Sequence, residues 1–174
     1  MTRRARWIGI GALDAAALQS RCAGLAEAQA ADAEPIVVWG RTPAHLCLGH
    51  NLGSVWIDEG RNFFVLIVPA RLAPGRARRW VAWALAPAIA TCRSFGLQAY
   101  VEGNDLCAAG RRIAGAGSAM IGACAVIASS LPDTLPDQRL LAARFRAAIE
   151  AQFGWQFDTS WPSAAERQAM AELG

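Results

Sequence analysis

An apolar run at residues 63–70 is too short to cross a membrane. Its length and its phenylalanine, valine, leucine and isoleucine residues are typical of a strand buried inside a sheet. The chain has 174 residues, of which 54% are hydrophobic, so it is long enough to fold as one domain around a substantial core. These features predict a globular domain organised around a buried sheet.

Four segments carry helix signals, in the form of periodic apolar residues or of capping residues. Leu141, Phe145 and Ile149, for example, are spaced to lie on one helix face, and Gly154 follows as a stop signal. A proline inside the second segment predicts a kink there. The four predicted helices are residues 14–30 with Asp14 as N-cap, residues 76–92 with Pro87 inside, residues 138–153, and a short last helix opened by the capping box of Ser163 and Glu166.

Short strands are predicted between these helices. They cover residues 35–39, 45–48, 55–57, 62–68, 97–102, 106–108 and 118–129, with a turn at residues 58–60 joining two of them into a hairpin. The predicted fold class is α+β, a single domain with a central mixed or antiparallel sheet and helices mainly on one face. The domain spans residues 1–174, with a core of about residues 7–163 and a C-terminal helix of about residues 164–173.

Charge and cysteine content exclude several functional classes. The net charge is +3, and the arginines are scattered rather than massed between aromatic residues, so we expect no nucleic-acid binding. The five cysteines are widely spaced, which predicts neither a zinc site nor a disulfide framework. Residues 1–13 resemble a signal peptide, but Asp14 interrupts the apolar stretch too early. We therefore expect a cytoplasmic protein with no membrane contact.

The most specific pattern is Gly103-Asn104-Asp105-Leu106-Cys107-Ala108-Ala109-Gly110-Arg111-Arg112-Ile113-Ala114-Gly115. It resembles the signature of the biotin/lipoate (A/B) protein ligase family, in which Asn-Asp is followed by a turn and by Lys-Ile-Ser/Ala-Gly. All 17 basic residues of this chain are arginine, and Arg112 stands at the lysine position. The order of predicted elements resembles the catalytic core of that family, which is related to the class II synthetases.

Two further segments carry the resemblance. Leu48-Gly49-His50-Asn51 is similar to a hydrophobic-Gly-x-x-Gln turn that lines the family's pocket, and residues 55–60 are similar to the end of its Arg- and Gly-rich loop. The resemblance implies that this loop closes over an acyl-adenylate, whose oxygens the signature lysine contacts. The Arg-Arg pair, most loop glycines and the lysine are missing here. ATP and Mg²⁺ are therefore expected as cofactors only if ligase chemistry is retained.

Several residues follow from the resemblance as site candidates, each with a plainer alternative. Arg112 either binds a carboxylate or phosphate or is a solvent-facing arginine of a hairpin. A buried cysteine such as Cys124 is either an acyl-accepting nucleophile or a small core residue. Asn104 and Asp105 either contact substrate or organise the hairpin, whose turn we predict at Ala109-Gly110. The remaining substrate-binding candidates are His50, Asn51, Trp56 and Gly115; no residue is proposed as a metal ligand.

Three functional hypotheses remain open from the sequence. The first is an enzyme that attaches or transfers a lipoyl, octanoyl or biotinyl group to a carrier protein, with altered or lost ATP-dependent chemistry. The second is a non-catalytic module that binds an acyl group or a carboxylic acid. The third is a subunit that has lost its pocket and packs against a partner. The expected partners are an acyl-carrier-type protein or a small carboxylic acid, and the sequence does not determine the oligomeric state.

Overall fold

A computed structural model describes residues 3–42, 62–135, 138–159 and 161–172. Within these ranges the strands are β1 (Arg3–Ala12), β2 (Ile36–Arg41), β3 (Asn62–Pro69), β4 (Ala99–Glu102), β5 (Asp105–Ala108), β6 (Arg111–Ile121), β7 (Cys124–Leu131) and β8 (Trp155–Thr159). The α-helices are α1 (Ala15–Glu27), α2 (Trp80–Ser94), α3 (Gln138–Phe153) and α4 (Ala164–Glu172). The predicted strands at residues 45–48 and 55–57 lie outside the described residues.

The strands form one sheet in the order β4-β5-β6-β7-β3-β2-β1-β8. β1 runs parallel to both β2 and β8, and the other neighbouring pairs are antiparallel. The sheet is therefore mixed, and with its four helices it confirms the predicted α+β class.

Helices cover both faces of the sheet. Side chains alternate along a strand, so Phe64 and Leu66 of β3 pack in one apolar cluster with α2 and α3, while Phe63 and Val65 pack in another with α1. The prediction of helices mainly on one face holds for the two longest helices, α2 and α3. The opposite face carries α1, with α4 packed against it, because the central strands are apolar on both sides and need cover on both.

The predicted strand at residues 118–129 is two strands. β6 and β7 form a hairpin in which Ile121 pairs with Cys124, so the turn consists of Gly122 and Ala123. Gly122 has a φ of +54°, a conformation that glycine adopts without strain and that suits a two-residue hairpin turn. The run of small residues concealed this turn, since its neighbours differ little from it in size or polarity.

Two strands were missed altogether. Residues 3–12, which resemble a signal peptide in composition, form β1 between β2 and β8. β8 follows α3 directly, and Trp155 of β8 is buried, whereas Trp161 is 87% exposed. Both strands pair in parallel with segments remote in sequence, so no local turn signals them.

The four predicted helices are all present, but α1 ends at Glu27 instead of residue 30, and α2 runs from Trp80 to Ser94 instead of over residues 76–92. Asp14 caps α1 by accepting a hydrogen bond from the Ala17 amide, and α3 has the predicted bounds. The exposed arginines at residues 76–79 form a short 3₁₀ turn, and α2 begins only at Trp80. α2 continues through Pro87 without a break. In the described ranges, no helix is both long and apolar enough to cross a membrane.

The C-terminal helix α4 is fastened by the carboxylate of Glu166. As the capping box predicts, this carboxylate accepts a hydrogen bond from the Ser163 amide, and the Glu166 amide donates to Ser163 Oγ at 3.2 Å. The same carboxylate pairs with Arg6 of β1, with 3.0 Å between Nη2 and Oε2, and accepts a bond from Gln29 beyond α1. Three remote parts of the chain therefore meet at one buried charge.

Burial by itself would raise the pKa of Glu166, but the bonds from Arg6, Ser163 and Gln29 outweigh it and lower the pKa from 4.5 to about 2. Because the folded pKa lies below the unfolded one, this stabilisation is present above about pH 4.5 and is lost as the pH falls towards 2. We expect Glu166→Gln to lower the free energy of unfolding at pH 7 by about 2 kcal/mol and to flatten its pH dependence below pH 5. Urea denaturation across this pH range measures both effects.

The matched control is Glu150→Gln, which removes an exposed i,i+4 pair with Arg146 in α3. It should change the free energy of unfolding by less than about 0.5 kcal/mol. Equal behaviour of the two variants would contradict a special role for Glu166.

A second prediction concerns the contact between α1 and α4. A Cβ at Gly24 of α1 would lie 2.6 Å from backbone atoms of Ala169 and Met170 in α4. Gly24→Ala should therefore force the helices apart and destabilise the protein by about 1–3 kcal/mol, despite alanine's higher helix propensity. Thermal unfolding tests this, with Gly9→Ala as control because a Cβ there meets nothing within 4 Å. An unchanged or higher melting temperature for Gly24→Ala would refute the close contact.

Candidate functional site

The signature segment forms two consecutive tight turns. β4 and β5 are joined by Gly103 and Asn104, and β5 and β6 by Ala109 and Gly110. Ala109 and Gly110 have φ values of +50° and +71°, as a type I′ hairpin turn requires. The predicted turn at Ala109-Gly110 is therefore confirmed, and it folds Arg112 back beside the strand that carries Asp105.

A β-bulge decides which way Arg112 points. Asp105 pairs with Gly115 and Leu106 with Ala114, but Cys107 pairs with Arg112, so Ile113 is an extra residue on β6. Because side chains alternate in a regular strand, Arg112 would otherwise lie on the face opposite to Gly115. The bulge moves Arg112 to the face shared by Asp105, Cys107 and Gly115.

Arg112 forms an ion pair with Asp105, with 2.9 Å between Nε and Oδ1. Both side chains are about half exposed, which makes the pair a weak contributor to stability. The rest of the guanidinium lies over Gly115, since a Cβ there would collide with Nη2. The missing side chain of Gly115 therefore leaves the space that the Arg112 guanidinium occupies. The hairpin places this positive charge beside the carboxylate of Asp105.

The same face buries the thiol of a second cysteine, Cys107 of β5. Cys107 is only 5% exposed, directly between Tyr100 of β4 and Arg112 of β6. Burial, and after it the charges of Glu102 and Asp105, raise the pKa of the thiol, and the charge of Arg112 opposes this. At neutral pH the thiol is protonated and is a poor nucleophile.

Cys124 lies away from this hairpin turn, at the start of β7 and opposite Pro69 of β3. It belongs to the apolar cluster under α1, and burial raises the pKa of its thiol. This position agrees with the core residue that was the alternative to a nucleophile. The catalytic role of Cys124 stays a prediction without support from its surroundings.

The other candidates divide into described and undescribed residues. Asn104 is exposed, and its carbonyl accepts a hydrogen bond from the Ala116 amide at 2.9 Å, which extends the hairpin. His50, Asn51 and Trp56 lie outside the described residues. The described tryptophans of helix and sheet pack against other aromatic side chains: Trp39 stacks on Trp7 and Trp83 on Phe153.

A groove of about 590 Å³ lies on another part of the molecule, where β8 forms the edge of the sheet. It is lined by Arg4, Glu150, Trp155, Gln156, Phe157 and Asp158. Among the predicted site residues that the structure describes, none lines this groove. Across the ranges that the structure covers, His, Cys, Asp and Glu side chains form no group of three that suits a metal ion.

The place of Arg112 leads to a testable prediction. Gly115→Ala should push the guanidinium away from Asp105, while changing stability by less than about 1 kcal/mol, because only the end of a half-exposed side chain has to move. A crystal structure of the variant shows the displacement, and thermal unfolding measures stability. Gly75→Ala, where a Cβ meets nothing within 4 Å, is the control. An intact Arg112–Asp105 pair in the variant would contradict the prediction.

Comparison with known proteins gives a clear likeness in structure and none in sequence. No sequence profile of a protein family matches the chain, and no curated protein sequence matches it either. Its structure is similar to the bi-partite lipoate protein ligase of Thermoplasma acidophilum, with a TM-score of 0.73 and 14% identity over 98% of this chain and 92% of that one.

Two more solved structures extend the likeness. A lipoate-protein ligase A bound with ATP has a TM-score of 0.71 and 12% identity, covering 99% of this chain and 94% of that one. The biotin acetyl coenzyme A carboxylase synthetase of Helicobacter pylori, with bound biotinylated ATP, has a TM-score of 0.59 and 14% identity, covering 86% and 75%. The chain has the fold of lipoate and biotin protein ligases.

Proposed function

We propose that this protein binds a lipoyl, octanoyl or biotinyl group and takes part in attaching or transferring it to a carrier protein, with altered or lost ATP-dependent chemistry. The observation that carries the proposal is the signature hairpin. In a fold similar to ligases over nearly its whole length, Arg112 occupies the signature's lysine position and lies over Gly115 beside Asp105.

Arg112 is suited to one part of the expected chemistry, the binding of an anionic group, and not to another, the transfer of a proton. A guanidinium remains charged at every physiological pH and offers several donors to carboxylate or phosphate oxygens. It can therefore hold the head group of an acid or of an acyl-adenylate. It cannot give up a proton as a lysine ammonium can, and its planar fork has a different reach. Binding of an anionic head group is thus the better supported half of the proposal.

The described residues do not fit Mg²⁺-ATP. Asp105 is the carboxylate closest to Arg112 in the hairpin, and it is already committed to the arginine at 2.9 Å. Nucleotide phosphates held with Mg²⁺ need free carboxylates for the metal, and the described chain offers no cluster of them beside the hairpin. We therefore derive no step through ATP.

The second candidate function is a non-catalytic module or subunit that binds an acyl group or carboxylic acid. It is favoured by the raised pKa values of Cys107 and Cys124, which leave the described hairpin and its neighbouring strands without a ready thiolate. The neighbour from Thermoplasma is a bi-partite ligase studied with its E2 lipoyl domain, so both a partner subunit and a carrier protein suit this fold. We place the protein in the cytoplasm on the sequence argument.

Calorimetric titration tests the proposal. The purified protein is titrated with lipoyl-AMP, octanoyl-AMP and biotinyl-AMP, and with the three free acids. We expect micromolar binding of at least one adenylate or acid, because the cation over Gly115 is available to a head group. Binding of adenylates would be followed by an acyl-transfer assay, whereas binding of free acid alone would favour the non-catalytic module. The absence of binding by all six ligands would refute the proposal.

The substitution Arg112→Lys tests the role of the arginine. If the arginine has its own ligand, we expect affinity for that ligand to fall by about tenfold, since a lysine loses the fork while keeping the charge. Arg111→Lys, on the exposed neighbouring residue, is the matched control and should have no effect. Stronger adenylate binding by Arg112→Lys would instead show a degenerate ligase site.

A further inference from the structure

Ser130 of β7 is a buried serine near the centre of the sheet. It pairs with Phe63 of β3 and is 0% exposed, yet its Oγ has no hydrogen-bond partner in the described part of the chain. The adjacent Ser129 is equally buried, and its hydroxyl donates to the Gly115 carbonyl at 2.9 Å. A buried hydroxyl without a partner destabilises a folded protein, so Ser130 is not explained by packing.

Ser130 and Gly115 lie side by side on one face of the sheet. On β7, Val126 and Ala128 face the apolar cluster under α1, and strand alternation places Ser130 on that face too. Ala116 pairs with Ser129, so the next opposed positions on β6 and β7 are Gly115 and Ser130. Gly115 has no side chain, so none lies between Ser130 and β5, the strand that carries Asp105.

The guanidinium of Arg112 lies over Gly115 on this same face, where a Cβ at Gly115 would collide with Nη2. Opposed Cβ positions in an antiparallel pair are about 5 Å apart, so the guanidinium over Gly115 and the Ser130 hydroxyl are neighbours on this face of the sheet. A neutral donor and a cation thus flank one position on the sheet.

We propose that Ser130 Oγ and the Arg112 guanidinium together bind an anionic oxygen of the ligand head group. This oxygen belongs to the carboxylate in a free acid and to the acyl phosphate in an adenylate. The inference rests on the proposed function, because it assigns a binding residue to the same site. Ser130 lies outside the signature segment, and its proposed partner is the head group of the ligand and not the acyl tail.

The test compares octanoate with octanol, which has the same chain without a carboxylate. Ser130→Ala should weaken octanoate binding by about tenfold or more, since a hydrogen bond to a charged group is lost. It should leave octanol binding unchanged, and it should not lower the melting temperature of the free protein, because the hydroxyl has no partner there. In the Arg112→Gln background, Ser130→Ala should have a smaller effect, because the cation that orients the carboxylate is gone.

The matched control is Ser118→Ala. Ser118 lies on β6 at the spacing of Ala114 and Ala116, on the opposite face of the sheet, and its loss should change neither affinity. If the unaltered protein binds octanoate and Ser130→Ala binds it equally well, the inference is wrong and the proposed function stands. Equal weakening of octanol and octanoate would show a packing effect and would also overturn the inference. If the unaltered protein binds none of the acids or adenylates, the proposed function and this inference both fail.

Discussion

The structure depends on the burial of β3 from both sides. All eight of its residues are buried, since it has a hydrogen-bonded neighbour at each edge and an apolar cluster on each face. Its pairing with β7 joins the parallel half of the sheet, made by β8, β1 and β2, to the antiparallel hairpins of β4 to β7. The position of the candidate site follows from that pairing, because the Gly115, Ser130 and Phe63 row runs from the hairpin into the core.

The candidate site itself depends on two local departures from a regular hairpin. One extra residue on β6 turns Arg112 to the face of Asp105, and the missing side chain of Gly115 leaves room for the guanidinium. If β6 lacked the bulge, or if residue 115 carried a side chain, Arg112 could not lie in its present position. A guanidinium held by a carboxylate is suited to binding an anionic head group and unsuited to proton transfer. Our proposal therefore concerns the binding of an anionic head group more than ligation.

The side chains of Arg6, Gln29 and Glu166 show how distant segments stabilise the outer layer of the fold. They come from β1, from the end of α1 and from α4, and their contacts hold the C-terminal helix against α1. The close approach at Gly24 serves the same packing, because a larger residue would separate the two helices. Cover over this face of the sheet therefore comes from both ends of the described chain.

The sequence by itself determined the local elements: the Asp14 cap, the Ala109-Gly110 turn, the bounds of α3 and the capping box of Ser163 and Glu166. Each is specified by backbone preferences or apolar periodicity within a few residues. The tertiary structure alone decided the parallel pairing of β1 with β8, the division of residues 118–129 into two strands, and the partners of Arg112, Glu166 and Ser130. Those features depend on which remote segments pair and on which face of the sheet a side chain lies. A single bulged residue moves a side chain to the opposite face, and neither the composition nor the spacing of the sequence reveals the bulge.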